Sequence, residues 1–184
     1  TRHSHSIILG DPGSGKSTLA RYVILSLIDL SPLPPSLLGK GVGGLGGHLP
    51  LLIELRTYAG ACARGDCKTF LEFLEYLGKT EGWHLTQAAL HNHLKNDGRA
   101  VVIFDGLDEI FEPAKREQIT RQIVGFCNDY PKARVIVTSR VIGYRRKILT
   151  DAGFTHFTLQ DLDEKQVEAF VNRWYDLAMS ERPD

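Results

Sequence analysis

Long hydrophobic runs are absent from this 184-residue sequence. No stretch approaches the ~20 uninterrupted apolar residues that a membrane-spanning helix needs, and no signal peptide is visible. An excess of one charge is absent as well. The 22 basic side chains balance 22 acidic ones, which argues against a dedicated nucleic-acid binder working by bulk electrostatics, although a local basic patch passes that test. Cysteine is scarce and odd in number (Cys62, Cys67 and Cys127), so a secreted disulfide scaffold is excluded and a reducing, cytoplasmic setting is expected. Wholesale disorder is excluded too, because 42% apolar and 24% charged residues are the proportions of a globular chain. The length suits one α/β domain, which buries roughly 70% of the surface its unfolded chain exposes. No initiating Met precedes Thr1 and the chain stops at Asp184 just after an amphipathic segment, which predicts a domain cut from a longer protein. No internal repeat is detectable.

What is present has a rhythm. Five short β-like runs can be read, at Ile7–Leu9, Leu51–Leu55, Val101–Phe104, Val135–Thr138 and Phe154–Leu159. The first, third and fourth are continuous and rich in Ile and Val, as strands buried on both faces of a parallel sheet should be. The fifth alternates clearly, which suits an edge. Helical patterns fill the gaps: Ser17–Leu30 with Leu19, Val23, Leu27 and Leu30 on one face, Phe70–Leu77 ended by Gly78, and Thr86–Asn96 stopped by Gly98. A fourth helix opens at Pro113 and runs to Tyr130. The last, Asp163–Met179, carries a period-3.6 stripe of Val167, Phe170, Val171, Trp174, Leu177 and Ala178. Strands alternating with helices predict βαβ units and a parallel sheet with helices on both faces. Two segments interrupt this pattern. Ser31-Pro32-Leu33-Pro34-Pro35 must end the first helix, and the glycine-rich run Gly39–Gly47 reads as a flexible loop, having no strand before it and no Lys-Ser ending.

The most informative stretch is Gly10-Asp11-Pro12-Gly13-Ser14-Gly15-Lys16-Ser17-Thr18, a full match to G-x-x-x-x-G-K-[ST] placed after a strand and opening a helix. Each residue type has a physical task. Gly10, Gly13 and Gly15 allow positive φ and a close approach to a polyphosphate. The loop and helix N–H groups point at anionic oxygens. Lys16 supplies a point charge between the outer phosphates, Ser17 is placed to ligate Mg²⁺, and Thr18 to support the inner phosphates. The helix dipole alone is worth only ~0.3–2 kcal/mol to a nearby anion, so the site depends on convergence.

A second motif follows. Val101-Val102-Ile103-Phe104-Asp105 is an apolar strand ending in a carboxylate, then Gly106-Leu107-Asp108-Glu109-Ile110. Ligands of open parallel sheets bind outside the carboxyl ends of the strands. Asp105 is therefore expected to face the same crevice as Lys16 and Ser17 and to hold Mg²⁺ through water. Helix capping is the plainer reading of such an aspartate. Asp108 or Glu109 follows closely enough to orient an attacking water as general base, with Asp108 preferred.

The pair GDPGSGKST and VVIFDGLDEI, with a small residue straight after the aspartate and two acids soon after, resembles the NACHT domains of the STAND class of P-loop NTPases. The resemblance extends to Leu49–Arg56, to Val135-Ile136-Val137-Thr138-Ser139-Arg140 and to Gly143-Tyr144-Arg145. It implies a five-stranded sheet in the order 5-1-4-3-2 and a core at residues 1–160. Residues 161–184 then either open a helical lid domain or pack back on the core. It assigns Arg140 as a sensor of the γ-phosphate, against the plainer reading of a surface ion pair. It further implies ATP and ADP with Mg²⁺ as ligands, and slow hydrolysis of the phosphoanhydride bond as an oligomerisation switch in defence or stress signalling. Self-association and effector and sensor domains outside this fragment belong to the same implication. The alternatives are a nucleotide-loaded binding module without turnover and a mechanical ATPase of the AAA+ type. An acid directly after Asp105 favours the latter, and Gly106 stands there instead.

The remaining candidates are weaker. Arg145, Arg146 and Lys147 form a basic cluster whose simplest reading is a solvated face. His91 and His93, two apart on a helix, point to different faces, and His3 and His5 lie near the N-terminus, so no zinc pair is expected. Cys62-x₄-Cys67 has no second half and reads as idle or buried thiols.

Overall fold

The computed structural model describes residues 4–30, 48–82, 85–141 and 146–180. Strands His5–Leu9 (β1), Leu49–Glu54 (β2), Ala100–Asp105 (β3), Arg134–Ser139 (β4) and Thr155–Thr158 (β5) form one sheet in the order β2-β3-β4-β1-β5, every pair parallel. This is the expected 5-1-4-3-2 order read from the other edge. The uniformly buried run Ala100–Phe104 occupies β3, flanked on both sides, while the alternating fifth run is the edge strand it resembles.

Helices cover both faces. Side chains alternate across a strand, so Val101 and Ile103 face one way and Val102 and Phe104 the other. The first pair, with Leu52 and Ile136, meets Ala20, Val23, Ile24 and Leu27 of Lys16–Leu30 (α1). The second pair, with Ile7, Leu9, Ile53, Val135 and Val137, forms the larger core under the other helices. These are Leu55–Arg64 (α2), Phe70–Thr80 (α3), Gln87–Asn92 (α4) and Pro113–Asp129 (α5). An aromatic train ties them together: the Phe70 ring lies 4.5 Å from Tyr58 and 4.6 Å from Phe104, and Phe126 lies 5.7 Å from Phe104 and 4.8 Å from Tyr130. Phe104 is thereby held by rings from two helices, α3 and α5, near the carboxyl end of β3.

Several sequence expectations need correction. Leu55 does not end the second strand. It opens α2, a helix that the strand reading concealed although Leu55, Tyr58, Ala59 and Cys62 follow i, i+3, i+4, i+7 spacing. Gly78 does not stop α3, which continues to Thr80. A glycine inside a helix costs only about 1 kcal/mol relative to alanine, and here it is buried against its neighbours. The predicted helix over 86–96 changes after Asn92 into a wider π turn, His93–Asp97, which buries the adjacent His93 and Leu94 together before Gly98 caps it at φ +66°. The short helix Arg146–Asp151 (α6) and the 3₁₀ turn Leu107–Glu109 have too few residues to leave a periodic signal. The proline segment 31–35, the glycine run 39–47, His3 and Gly143-Tyr144-Arg145 lie outside the described residues, as does the side chain of Arg146. The last helix, Glu164–Ser180 (α7), exposes Val167, Phe170, Val171 and Tyr175, while the side chains of Trp174, Leu177 and Ala178 are outside the description. Among the described residues no helix is long and apolar enough to cross a membrane.

One histidine tunes the stability of this sheet. His5 stacks on Phe154 with ring centroids 5.3 Å apart, and its Nε2 is buried without a hydrogen-bond partner. Burial holds its pKa below the ordinary 6.5. The unfolded chain therefore takes up the proton more readily than the folded one. The contribution of a neutral His5 is complete above pH 6.5 and is lost as the pH falls from there through the folded value. The melting temperature should accordingly drop on acidification below about pH 6.5, and His5→Phe should flatten that part of a melting-temperature profile. An unchanged acid limb in the variant would assign the effect to other groups.

Candidate functional site

The loop after β1 takes its shape from three glycines used in two different ways. Gly13 and Gly15 adopt φ +80° and +84°, the left-handed region that side chains disfavour, and nothing lies within 4 Å of where their Cβ atoms would stand. Gly10 does not have positive φ, contrary to expectation. Its requirement is space, since a Cβ there would meet Ser14 Oγ at 2.5 Å. A turn closed by the Ser14 N–H on the Asp11 carbonyl (3.1 Å) carries the chain over Pro12 to α1, whose ladder begins with the Leu19 N–H on the Gly15 carbonyl (2.8 Å). Lys16 folds back over the loop. Its Nζ donates to the carbonyls of Gly10 and Asp11, both at 2.8 Å, and to Ser14 Oγ at 3.2 Å. Ser17 and Thr18 sit exposed in the first turn of α1. The loop thus presents a ring of backbone donors and a helix N-terminus beside an ammonium group.

The acidic strand end is two strands away, and β4 spans the gap. Three consecutive residues at its carboxyl end perform the joining. The buried Thr138 hydroxyl donates to Asp105 Oδ1 at 2.5 Å and accepts the Gly106 N–H at 2.8 Å. The Ser139 carbonyl accepts the Gly10 N–H at 3.2 Å, anchoring the head of the loop. Arg140 engages Asp108 twice: its N–H donates to Oδ1 at 3.0 Å, and its Nε to Oδ2 at 2.8 Å. Asp105 and Asp108 are therefore brought to the same sheet edge as Gly10 and Lys16. Glu109, exposed, turns toward Gly106, where an added Cβ would come within 3.1 Å of its carboxyl carbon. Gly106 has φ +81°, so a side chain directly after Asp105 would be strained as well as crowded.

Arg140, expected to sense the γ-phosphate, is paired with Asp108, expected to position water. The Arg140 side chain is 51% exposed and that of Asp108 only 14%, so the pair lies at the rim rather than in the core. One bond comes from the Arg140 main chain and one from its guanidinium, so each oxygen of the Asp108 carboxylate is held by a separate donor of the same residue. At the far edge, Glu54 of β2 pairs in register with Asp105 and holds Arg21 of α1 at 3.3 Å. That contact is exposed and contributes little to stability.

Sequence reasoning missed Thr138 and Ser139 as site residues. Their signal was present only as the string Thr-Ser-Arg, and nothing in a single sequence says that a strand's threonine will face a carboxylate one strand over. It also missed the basic residue Arg21. Of the basic cluster, Lys147 is exposed on α6.

A loop of this type after β1, with carboxylates on β3 and β4 interposed, is the plan of the P-loop NTPases, and the chain carries a nucleotide-binding NTPase core of that class. Within the class it belongs to the NACHT family, whose NACHT domain model matches residues 49–178, from β2 into α7. The loop at 10–18 precedes the matched segment. Among solved structures, that of Cdc6p from Pyrobaculum aerophilum is similar with a TM-score of 0.48 and 12% identity, over 90% of this chain. This chain spans 41% of the length of that one. No curated protein matches the sequence.

Proposed function

We propose that this chain is the switch core of a NACHT-type signalling protein of the cytoplasm. In this reading it binds Mg-ATP at Gly10–Thr18, hydrolyses it slowly, and presents different surfaces for self-association in its ATP and ADP states. The observation that supports it best is the segment Thr138-Ser139-Arg140, bonded on one side to the head of the loop and on the other to Asp105 and Asp108. Any movement of that segment is felt by both. The cradle over Gly13 and Gly15, into which a Cβ would project freely, suits a polyphosphate, and the donor set of a hydroxyl and a carboxylate suits a hard cation. Ser17 and Asp105 would hold Mg²⁺, which when bound neutralises charge on the phosphates.

The chain's own residues do the rest. Loop N–H groups and Lys16 bind the phosphates, Thr138 fixes the Asp105 carboxylate, and Asp108 or Glu109 positions water. Arg140, tethered to Asp108, is the group able to exchange its carboxylate for a γ-phosphate and so report its loss. In this reading, which family membership suggests, ATP is preferred to GTP, the output is defence or stress signalling, and effector and sensor domains lie elsewhere in the protein. Residues 1–160 are the core and 161–184 the opening of a lid, a division supported by the exposed Val167, Val171 and Tyr175 of α7.

Phosphate release from Mg-ATP by an Asp108→Asn, Glu109→Gln double variant tests the hydrolytic reading. Turnover should fall by at least about tenfold while nucleotide binding persists. Equal turnover in wild type and double variant would leave a nucleotide-loaded binding module. Turnover stimulated by DNA and suppressed by salt would favour a mechanical ATPase instead.

A further inference from the structure

Away from the nucleotide site, α2 ends in a turn that brings two thiols together. Gly65 caps the helix at φ +85°, its N–H on the carbonyl of Cys62, and the Asp66 N–H returns to the Ala61 carbonyl at 3.0 Å. The chain reverses over these residues and Cys67 comes to lie against the last turn, its Sγ 3.5 Å from that of Cys62. Cys67 is buried and Cys62 half-buried. Tyr58 closes the other side, its hydroxyl within hydrogen-bond distance of the Lys68 carbonyl at 3.2 Å and of the Gln122 side-chain amide at 3.1 Å. The corner is therefore held on three sides, and of its two cysteines Cys62 is the less buried. Burial, then the hydrogen bond with Cys62, pushes the Cys67 thiol up to about 12, so it is kept protonated and protected from direct attack.

We propose that Cys62 and Cys67 form a reversible redox dithiol, a modification site for peroxide-class oxidants and small-molecule thiols. Closing the bond requires the sulfurs to approach by about 1.5 Å, within reach of a side-chain rotation at a helix end. Cys62, the accessible partner, reacts first: its sulfur breaks the O–O bond of hydrogen peroxide, giving the sulfenic acid and one water. The Cys67 sulfur then attacks that of Cys62. The S–S bond forms, the S–O bond breaks, and the hydroxyl leaves with the Cys67 proton as a second water. Two molecules of a small thiol restore the pair and depart as their own disulfide.

Trypsin offers a clean readout, because Arg64 lies between the cysteines. The full chain is treated with hydrogen peroxide, its remaining thiols are alkylated, and it is digested. The peptides Thr57–Arg64 and Gly65–Lys68 should appear joined, lighter by two hydrogens than their sum, and separate with dithiothreitol. One of the three thiols, Cys127, should still take the alkyl label. Cys62→Ser should abolish the joined species and Cys127→Ser should keep it. Alkyl label on both Cys62 and Cys67 after oxidation would overturn the proposal, as would a linkage to Cys127 or a Cys62 that accumulates only as sulfinic acid.

Discussion

Lys16→Ala is expected to erase the nucleotide-dependent rise in melting temperature while leaving the ligand-free chain close to wild type. The ammonium group is a positive charge folded over the loop, and its partners without ligand are the carbonyls of Gly10 and Asp11 and the Ser14 hydroxyl. Removing it frees a part-buried carbonyl, an exposed one and a hydroxyl, so the ligand-free cost is about 1 kcal/mol. The cost to binding is much larger, because the outer phosphates lose their only point charge from this loop. At ligand concentrations near 1,000 times the dissociation constant, binding stabilises the native state by ~4 kcal/mol. For a chain of this size that is a shift of roughly 8–16 °C. Melting curves with Mg-ATP, Mg-GTP and Mg-ADP on wild type and variant read it directly. A variant that retains the full shift would move the phosphate contact away from this loop, and a wild type with no shift for any nucleotide would overturn binding by this chain.

The contrast between Lys16 and Thr138 shows which parts of the site a sequence exposes. The loop was legible because its function is carried by local backbone geometry: glycines at fixed offsets, a lysine, and a helix start within nine residues. The sheet was legible for a similar reason, since buried parallel strands read as apolar runs, and β5 takes the edge that its alternating sequence predicts. The role of Gly10 was misassigned, because a sequence does not distinguish a glycine needed for its φ from one needed for its missing Cβ. α2 was concealed because it begins at Leu55, the residue directly after the end of β2, with no turn residues between them. The pairing of Arg140 with Asp108 and the clamp of Thr138 on Asp105 span 32 and 33 residues of sequence, and they exist only because β4 inserts beside β3. Long-range register of that kind leaves no trace in spacing.

Thr138→Val isolates the clamp. Valine copies the shape of threonine and removes both of its hydrogen bonds at once. The Gly106 N–H is then left unpaired in a position where Thr138 is only 1% exposed, and the Asp105 carboxylate loses the donor that fixes its rotamer. An orphaned buried donor costs about 1–3 kcal/mol, so the melting temperature should fall by roughly 2–12 °C. If Asp105 holds Mg²⁺, the effect on function is separate from that on stability. Partners that orient a metal-binding carboxylate change metal affinity or activity by about 10–100-fold when removed. The Mg²⁺ concentration giving half-maximal ATP turnover should rise by that factor, measured at a temperature where the variant is fully folded. Thr138→Ser keeps the oxygen and should restore the Mg²⁺ dependence even where the lost methyl lowers stability slightly. A Thr138→Val chain that melts early yet hydrolyses ATP with wild-type Mg²⁺ dependence would reduce Thr138 to a strand-packing residue and would remove Asp105 from the metal site with it.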